Sequence, residues 1–251
     1  MFRPRIIPVL LLKSLALVKS VRFEKHRYIG DPINAVRIFN DLKADELVFL
    51  DVEASQKNRL ISLDFVRDVG EEANMPFAVG GGIKTTEDIK AILNAGAEKV
   101  VISTYAAQNP DFIKEASDFF GSSTIVVCID VKNKLLKGRR TWILSGSKST
   151  AFNPVEFAQL MEKNGAGELI IQSIERDGAM EGYDIELVKS VSTAVGVPVV
   201  ALGGAGSKED LMEAYRIGHA NALAAGSLFI YQSRNRGVLI NYPNKGELNF
   251  D

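Results

Sequence analysis

Residues 76–89 read PFAVGGGIKTTEDI and residues 198–211 read PVVALGGAGSKEDL, one pattern repeated after 122 positions. Each copy starts at a proline, runs through a short apolar stretch into a glycine-rich turn, and opens an acidic segment headed by Thr or Ser. A second pair keeps the spacing: ADELVFLDVEAS from Ala44 matches AGELIIQSIERD from Ala166. Self-similarity over half a chain predicts a duplicated unit, and strand, turn and helix signals in fixed order say what the unit contains.

Outward from these blocks, short β-branched runs alternate with segments of helical period. The strand candidates are RIIPVLLL from Arg5, ELVFLDV from Glu46, PFAVGG from Pro76, KVVIST from Lys99, TIVVCIDV from Thr124, ELIIQSI from Glu168, PVVALGG from Pro198 and ALAAGS from Ala222. Between them, TTEDIKAILNAG and KEDLMEAYRIG place apolar residues three and four apart and end on glycine, as helices do. Eight such alternations in 251 residues predict an α/β fold, a (βα)8 TIM barrel built from two duplicated (βα)4 halves, with residues 1–251 as one domain. A doubly wound open sheet would not need the symmetry.

Composition narrows the function. Thirty basic against thirty-one acidic residues leave a net charge of −1, which offers no electrostatic footprint for nucleic acid or an anionic membrane. The single cysteine, Cys128, sits in an apolar run and reads as a core residue in a reducing compartment. His26 and His219 lack ligand spacing, so no metal is expected, and nothing calls for a cofactor. The N-terminal MFRPRIIPVLLL imitates a signal peptide, but its apolar run is short, contains Pro8 and lacks a convincing cleavage site. No apolar stretch is long enough to span a bilayer, and a soluble cytoplasmic protein is expected.

In a barrel of this kind, residues at the C-terminal ends of the strands face the active site. The duplication makes Leu11, in RIIPVLLLK, the counterpart of Asp130, in IVVCIDVK. A carboxyl group at the end of an apolar strand has its pKa raised by desolvation and suits proton transfer at neutral pH. Spacing alone leaves open that Lys132 or loop N–H groups simply hold it. Lys19, Asp51 and Asp177 are further candidates on the same face. Gly82 with Ser103 and Thr104, and Gly204 with Gly226 and Ser227, form two symmetry-related sets at strand ends, where backbone N–H groups can receive phosphate. Two such sets across one mouth suit a ligand with a phosphate at each end; the alternative is that Ser and Thr only cap helices.

At the opposite end, Arg5 shares the parity of Leu11 and lies about 20 Å from it at ~3.3 Å per residue. Glu46, Lys99 and Glu168 open their strands in the same way. If all four point inward they form a neutral ring; by pattern alone, solvated strand ends are the simpler reading, because charged residues are seldom buried unless paired.

The chain resembles the cyclase subunit family of imidazole glycerol phosphate synthase along essentially its whole length. The resemblance is carried by GDP at 30–32, DELVFLD at 45–51, VGGGI at 79–83, NP at 109–110, GAGE at 165–168, RDG at 176–178, GYD at 182–184 and GGAG at 203–206. It implies a barrel that receives ammonia from a glutaminase subunit at its bottom and reacts it at the top with a nucleotide-derived bisphosphate. The ammonia gate of that family falls on Arg5, Glu46, Lys99 and Glu168. Its phosphate positions fall on Gly82, Thr104, Asp177, Gly178, Gly204 and Ser227, with Ser103 in place of the usual asparagine.

The departure is Leu11. The family uses two aspartates as acid and base, one at Asp130 and the other where this chain has leucine, and the usual KDG that follows is KSL at 13–15. A general acid or base contributes about 10²- to 10⁴-fold in rate, so efficient cyclisation is not expected. FRPRIIPVLLLK at 2–13, YIGDPINAVRIFN at 28–40 and VLINYP at 238–243 resemble a paralogous branch associated with sugar amidation in surface polysaccharide pathways. That resemblance implies a third protein, an ATP-dependent sugar amidotransferase, as the user of the ammonia. The alternatives are an active histidine-pathway cyclase, with a group such as Asp51 replacing the missing acid, and a regulatory subunit that binds a phosphate ligand.

Overall fold

In the computed structural model, which describes residues 3–232, 237–244 and 246–250, all eight strand candidates form. The first half of the chain runs β1 (Arg5–Lys13), β2 (Ala16–Val21), β3 (Glu24–Gly30), α1 (Pro32–Asp41), β4 (Leu47–Asp51), α2 (Leu63–Glu72), β5 (Phe77–Gly80), α3 (Thr86–Asn94), β6 (Lys99–Ile102), α4 (Thr104–Gln108) and α5 (Asp111–Phe120). The second runs β7 (Ile125–Lys134), β8 (Gly138–Ile143), β9 (Lys148–Ser149), α6 (Pro154–Lys163), β10 (Glu168–Ser173), α7 (Ile185–Ser192), β11 (Val199–Leu202), α8 (Lys208–Arg216), β12 (Ala222–Ala225) and α9 (Ser227–Ile230). Parallel pairing follows the order β1, β4, β5, β6, β7, β10, β11, β12 and returns to β1, closing an eight-stranded barrel.

Local chemistry repeats with the fold. Asp31 caps α1 and Asn153 caps α6, each followed by a proline at the first helical position, where a missing N–H costs nothing. Thr85 with Asp88 and Ser207 with Asp210 build reciprocal capping boxes that start α3 and α8. These two caps are the polar residues of the opening repeat, so the duplicated stretch encodes the same strand-to-helix turn twice.

Strand alternation sorts the core into two layers. On β1 the even residues Ile6, Leu10 and Leu12 pack outward beneath the helices, while Ile7, Val9 and Leu11 face the barrel interior. The interior is otherwise filled by Val48, Ala78, Val101, Val126, Cys128, Ile170, Val200, Leu202, Ala222 and Ala224.

The sequence reading missed four strands. β2 and β3 continue β1 as an antiparallel meander, and β8 and β9 continue β7 in the same way. Both additions rise from the mouth end, on diametrically opposite barrel strands. Among the described residues, no helix is long and apolar enough to cross a membrane.

Candidate active site

Leu11 and Asp130 end opposite strands and line one pocket at the mouth, together with Asp51, Gly82, Ser103 and Thr104. A smaller pocket on the other side of Leu11 holds Lys19, Asp177, Gly226 and Ser227. The two share Leu11, Ser20 and Gln172 and so lie side by side with a leucine between them, while Gly178 and Gly204 line neither.

Asp130 is buried and accepts hydrogen bonds from Ser103 Oγ at 3.3 Å and from the Cys128 thiol at 3.6 Å. Lys132 does not hold it: its ammonium lies 5.4 Å from the Trp142 ring centre. Desolvation raises the Asp130 pKa from 3.8 to about 7, against the two hydrogen bonds that favour its charged form. The folded state therefore binds a proton that the unfolded chain has already released. That mismatch is absent below about pH 4, grows between pH 4 and 7, and is complete above pH 7, where it reaches on the order of 4 kcal/mol. Asp130→Asn should consequently stabilise the protein at pH 8 and leave it nearly unchanged at pH 4. Urea unfolding at the two pH values checks this, and an equal effect at both would contradict it.

Lys19 is buried, donates to the Val9 carbonyl at 2.7 Å and sits over the bare backbone of Gly226. Burial lowers its pKa to about 8, while the charge of Asp177 works the other way. Asp177 in turn accepts from Ser20 Oγ and Gln172 Nε2, each at 3.3 Å, and desolvation raises its pKa.

Asp51 is differently placed from the free acid that the sequence allowed. Arg59 grips both its oxygens, at 2.6 and 3.2 Å, and the N–H groups of Glu53 and Ala54 donate to Oδ1. A carboxylate so engaged fixes the loop after β4 and has no oxygen free for proton transfer.

Gly82 and Gly204, related by the duplication, occupy backbone at φ +73° and +117°. A Cβ would stand 1.8 Å from the Arg59 carbonyl oxygen at Gly82 and 2.1 Å from that of Gly182 at Gly204. Loop packing therefore demands glycine at both positions, whatever ligand they face. Gly178 meets the same demand against Ser20. Ser103 and Gly226 stand at the starts of α4 and α9 with no side-chain cap bond, and the Thr104 hydroxyl accepts from the Leu144 N–H at 3.1 Å. Ser103 and Thr104 thus do not act as the plain helix caps of the alternative reading.

The sequence reading did not find Ser20, Phe23, Ser145 and Gln172 as pocket residues, and it set His26 aside for lack of ligand spacing. Gln172 was accessible through parity, since it stands two places beyond Ile170 on an inward column. The others sit on the unexpected hairpins. Phe23, at the β2–β3 turn, reaches over the mouth towards Gly146 and is held there by the Arg22 N–H, which donates to the Asp177 carbonyl at 2.9 Å.

At the bottom, Arg5 donates to both Glu46 and Glu168, and Lys99 Nζ donates to the same two carboxylates at 3.2 and 3.0 Å. The four side chains close an alternating ring. Solvated strand ends are thus not what forms here: Glu46 and Glu168 are buried, which mutual pairing allows. Above the ring, each of its columns turns apolar at the next inward position: Ile7, Val48, Val101 and Ile170.

Fold and site together define a (βα)8 barrel with a polar double pocket at the C-terminal mouth and a charged ring closing its base. The family model described as histidine biosynthesis protein matches residues 5–234, and the chain belongs to that family. A Pseudomonas aeruginosa protein provisionally named imidazole glycerol phosphate synthase subunit hisF2 is 42% identical over 99% of each chain. A Leptospira interrogans protein, provisionally named imidazole glycerol phosphate synthase subunit HisF, is 43% identical over 98% of this chain and 97% of its own. The imidazole glycerol phosphate synthase subunit HisF of Anoxybacillus flavithermus is 43% identical over 92% of each.

Proposed function

We propose that the chain is the barrel subunit of a glutamine amidotransferase complex in which ring closure has been lost. A glutaminase docks at the bottom face, ammonia passes the ring of Arg5, Glu46, Lys99 and Glu168, and an ATP-dependent amidotransferase at the mouth adds it to a surface-polysaccharide sugar. The observation that carries this reading is Leu11, facing the mouth opposite Asp130 with no uncommitted carboxyl group to replace it among the described pocket residues. Asp51 is committed to Arg59, and Asp177 to Ser20, Gln172 and the charge of Lys19. The apolar interior above the ring supports passage of a neutral molecule, since an unpaired ammonium ion would be desolvated there. On this reading Gly82, Thr104, Asp177, Gly178, Gly204, Gly226 and Ser227 are a phosphate-binding set retained from the cyclase.

The second reading is an active cyclase of histidine biosynthesis. The family and the names of the relatives favour it, as does the Asp130 pKa of about 7, which suits an acid or base at neutral pH. Expression in a strain lacking the histidine-pathway cyclase separates the two. Relay predicts no growth without histidine, together with glutamine-dependent amination of the sugar by the reconstituted three-protein system. Growth at the rate given by an authentic cyclase would replace the relay reading with the second.

A further inference from the structure

The β7–β8 hairpin continues past the barrel rim: β7 pairs with β10 only as far as Val131, while its ladder with β8 runs on to Lys134 opposite Gly138. At the tip, Leu135 and Leu136 are 89% and 98% exposed. Elsewhere among the described residues the large apolar side chains are far better covered, none of them more than 70% exposed.

Around these leucines the charge is one-sided. Residues 131–155 contain Lys132, Lys134, Lys137, Arg139, Arg140 and Lys148 and no carboxylate, so +6 of charge sits on this segment and −7 on the rest of a chain whose net is −1. Among the described residues only Arg139 of the six forms an ion pair, with Asp184 and Glu186. The tip is also ordered by its own bonds: the Lys137 N–H donates to the Lys134 carbonyl at 2.9 Å, and Leu136 and Gly138 take the positive φ of a tight turn. An apolar knob on a stiff stalk with a cationic collar has the make-up of a docking anchor, because a few desolvated side chains carry most of an interface and surrounding charge steers the approach.

We infer that Leu135 and Leu136 insert into an apolar notch on an acidic protein, the enzyme that consumes the ammonia, and so seat it over the barrel mouth. The same strand carries Asp130 five residues before Leu135, which puts the anchor about 17 Å from the pocket. A partner held there would cover the exit. The mixed charge of the adjoining rim, where Glu186 is exposed and Glu175 half-buried beside the basic residues, favours a protein over an anionic membrane.

This inference rests on the relay reading, and the experiment separates their failures. The full-length chain, wild type and as Leu135→Ser/Leu136→Ser and Lys134→Glu/Lys137→Glu double variants, is combined with its glutaminase and the purified sugar amidotransferase. Both variants should fold as the wild type does, since Leu135, Leu136 and Lys137 are exposed and Lys134 gives up only its bond to Ser149 Oγ, and thermal unfolding checks this. The expected result is glutamine-dependent amination reduced at least tenfold in both variants, amination from added ammonium salt unchanged, and glutamate release unchanged. Calorimetry should show at least tenfold weaker binding of the amidotransferase by both variants, and salt-weakened binding by the wild type. A wild type that relays ammonia while both variants match it overturns the anchor alone. A wild type that relays nothing overturns the relay reading, and the anchor with it. Sedimentation with phosphatidylglycerol vesicles is the remaining arm: pelleting of the wild type but not the variants would reassign the hairpin to a membrane and overturn the protein partner.

Discussion

Leu11→Asp should raise turnover of the histidine-pathway bisphosphate by about 10²- to 10⁴-fold, the usual contribution of one general acid or base. The position is suited to the exchange. Leu11 is 9% exposed at the junction of the two pockets, and aspartate is the smaller side chain, so no neighbour has to move aside. A new carboxylate would stand opposite Asp130 and share a pocket with Lys19, whose positive charge favours the ionised form. Stability should fall by about 2–4 kcal/mol, since buried leucine surface is lost and a charge is placed in its stead. Adding Asp130→Asn should abolish the gain if the restored carboxyl works as a pair with Asp130. Steady-state kinetics of the four combinations decides it. Wild-type turnover equal to that of Leu11→Asp, with both proteins folded, would remove the reason for regarding this barrel as a relay.

Arg5→Ala should be among the most damaging single changes far from the mouth. It leaves Glu46 and Glu168, whose side chains are 5% and 8% exposed, sharing Lys99 alone. Removing one partner of a buried pair typically costs about 3–5 kcal/mol. Arg5 itself is about one-third exposed, so solvent screening moves the expectation to about 2–3 kcal/mol, or roughly 4–12 °C in Tm for a chain of this size. If the ring controls ammonia entry, the same variant should change glutamine-dependent amination while amination from ammonium salt at the mouth stays constant. Unchanged glutamine-dependent product would leave the ring a purely structural clamp.

The sequence made the barrel readable because its signals were redundant. Pro76 to Ile89 and Pro198 to Leu211 state the same strand, turn and cap twice, and parity alone put Arg5 and Leu11 on one inward column. The two hairpins were hidden for physical reasons. EKHRYIG and GRRTWI are largely exposed or half-buried strands without the apolar runs that mark the barrel, and the turns of the first hairpin take positive φ at Ser14, Leu15, Arg22 and Phe23 rather than at glycine. Pocket residues on those hairpins were hidden with them. Asp51 illustrates a different limit, since its commitment depends on Arg59 curling back from the loop eight residues on. The ring lay between these cases: the four residues could be picked out by position, but their burial depended on pairing across strands 41 to 163 residues apart.

Fusing the two halves into one polypeptide has an evolutionary corollary. In a symmetric dimer of half-barrels a single codon change would strike both copies of a position together, so losing one aspartate would mean losing both. Because the copies are joined in tandem, the two positions are free to differ, as leucine at 11 and aspartate at 130 do. One mouth can thereby hold an acid on one strand and a hydrocarbon on the strand opposite.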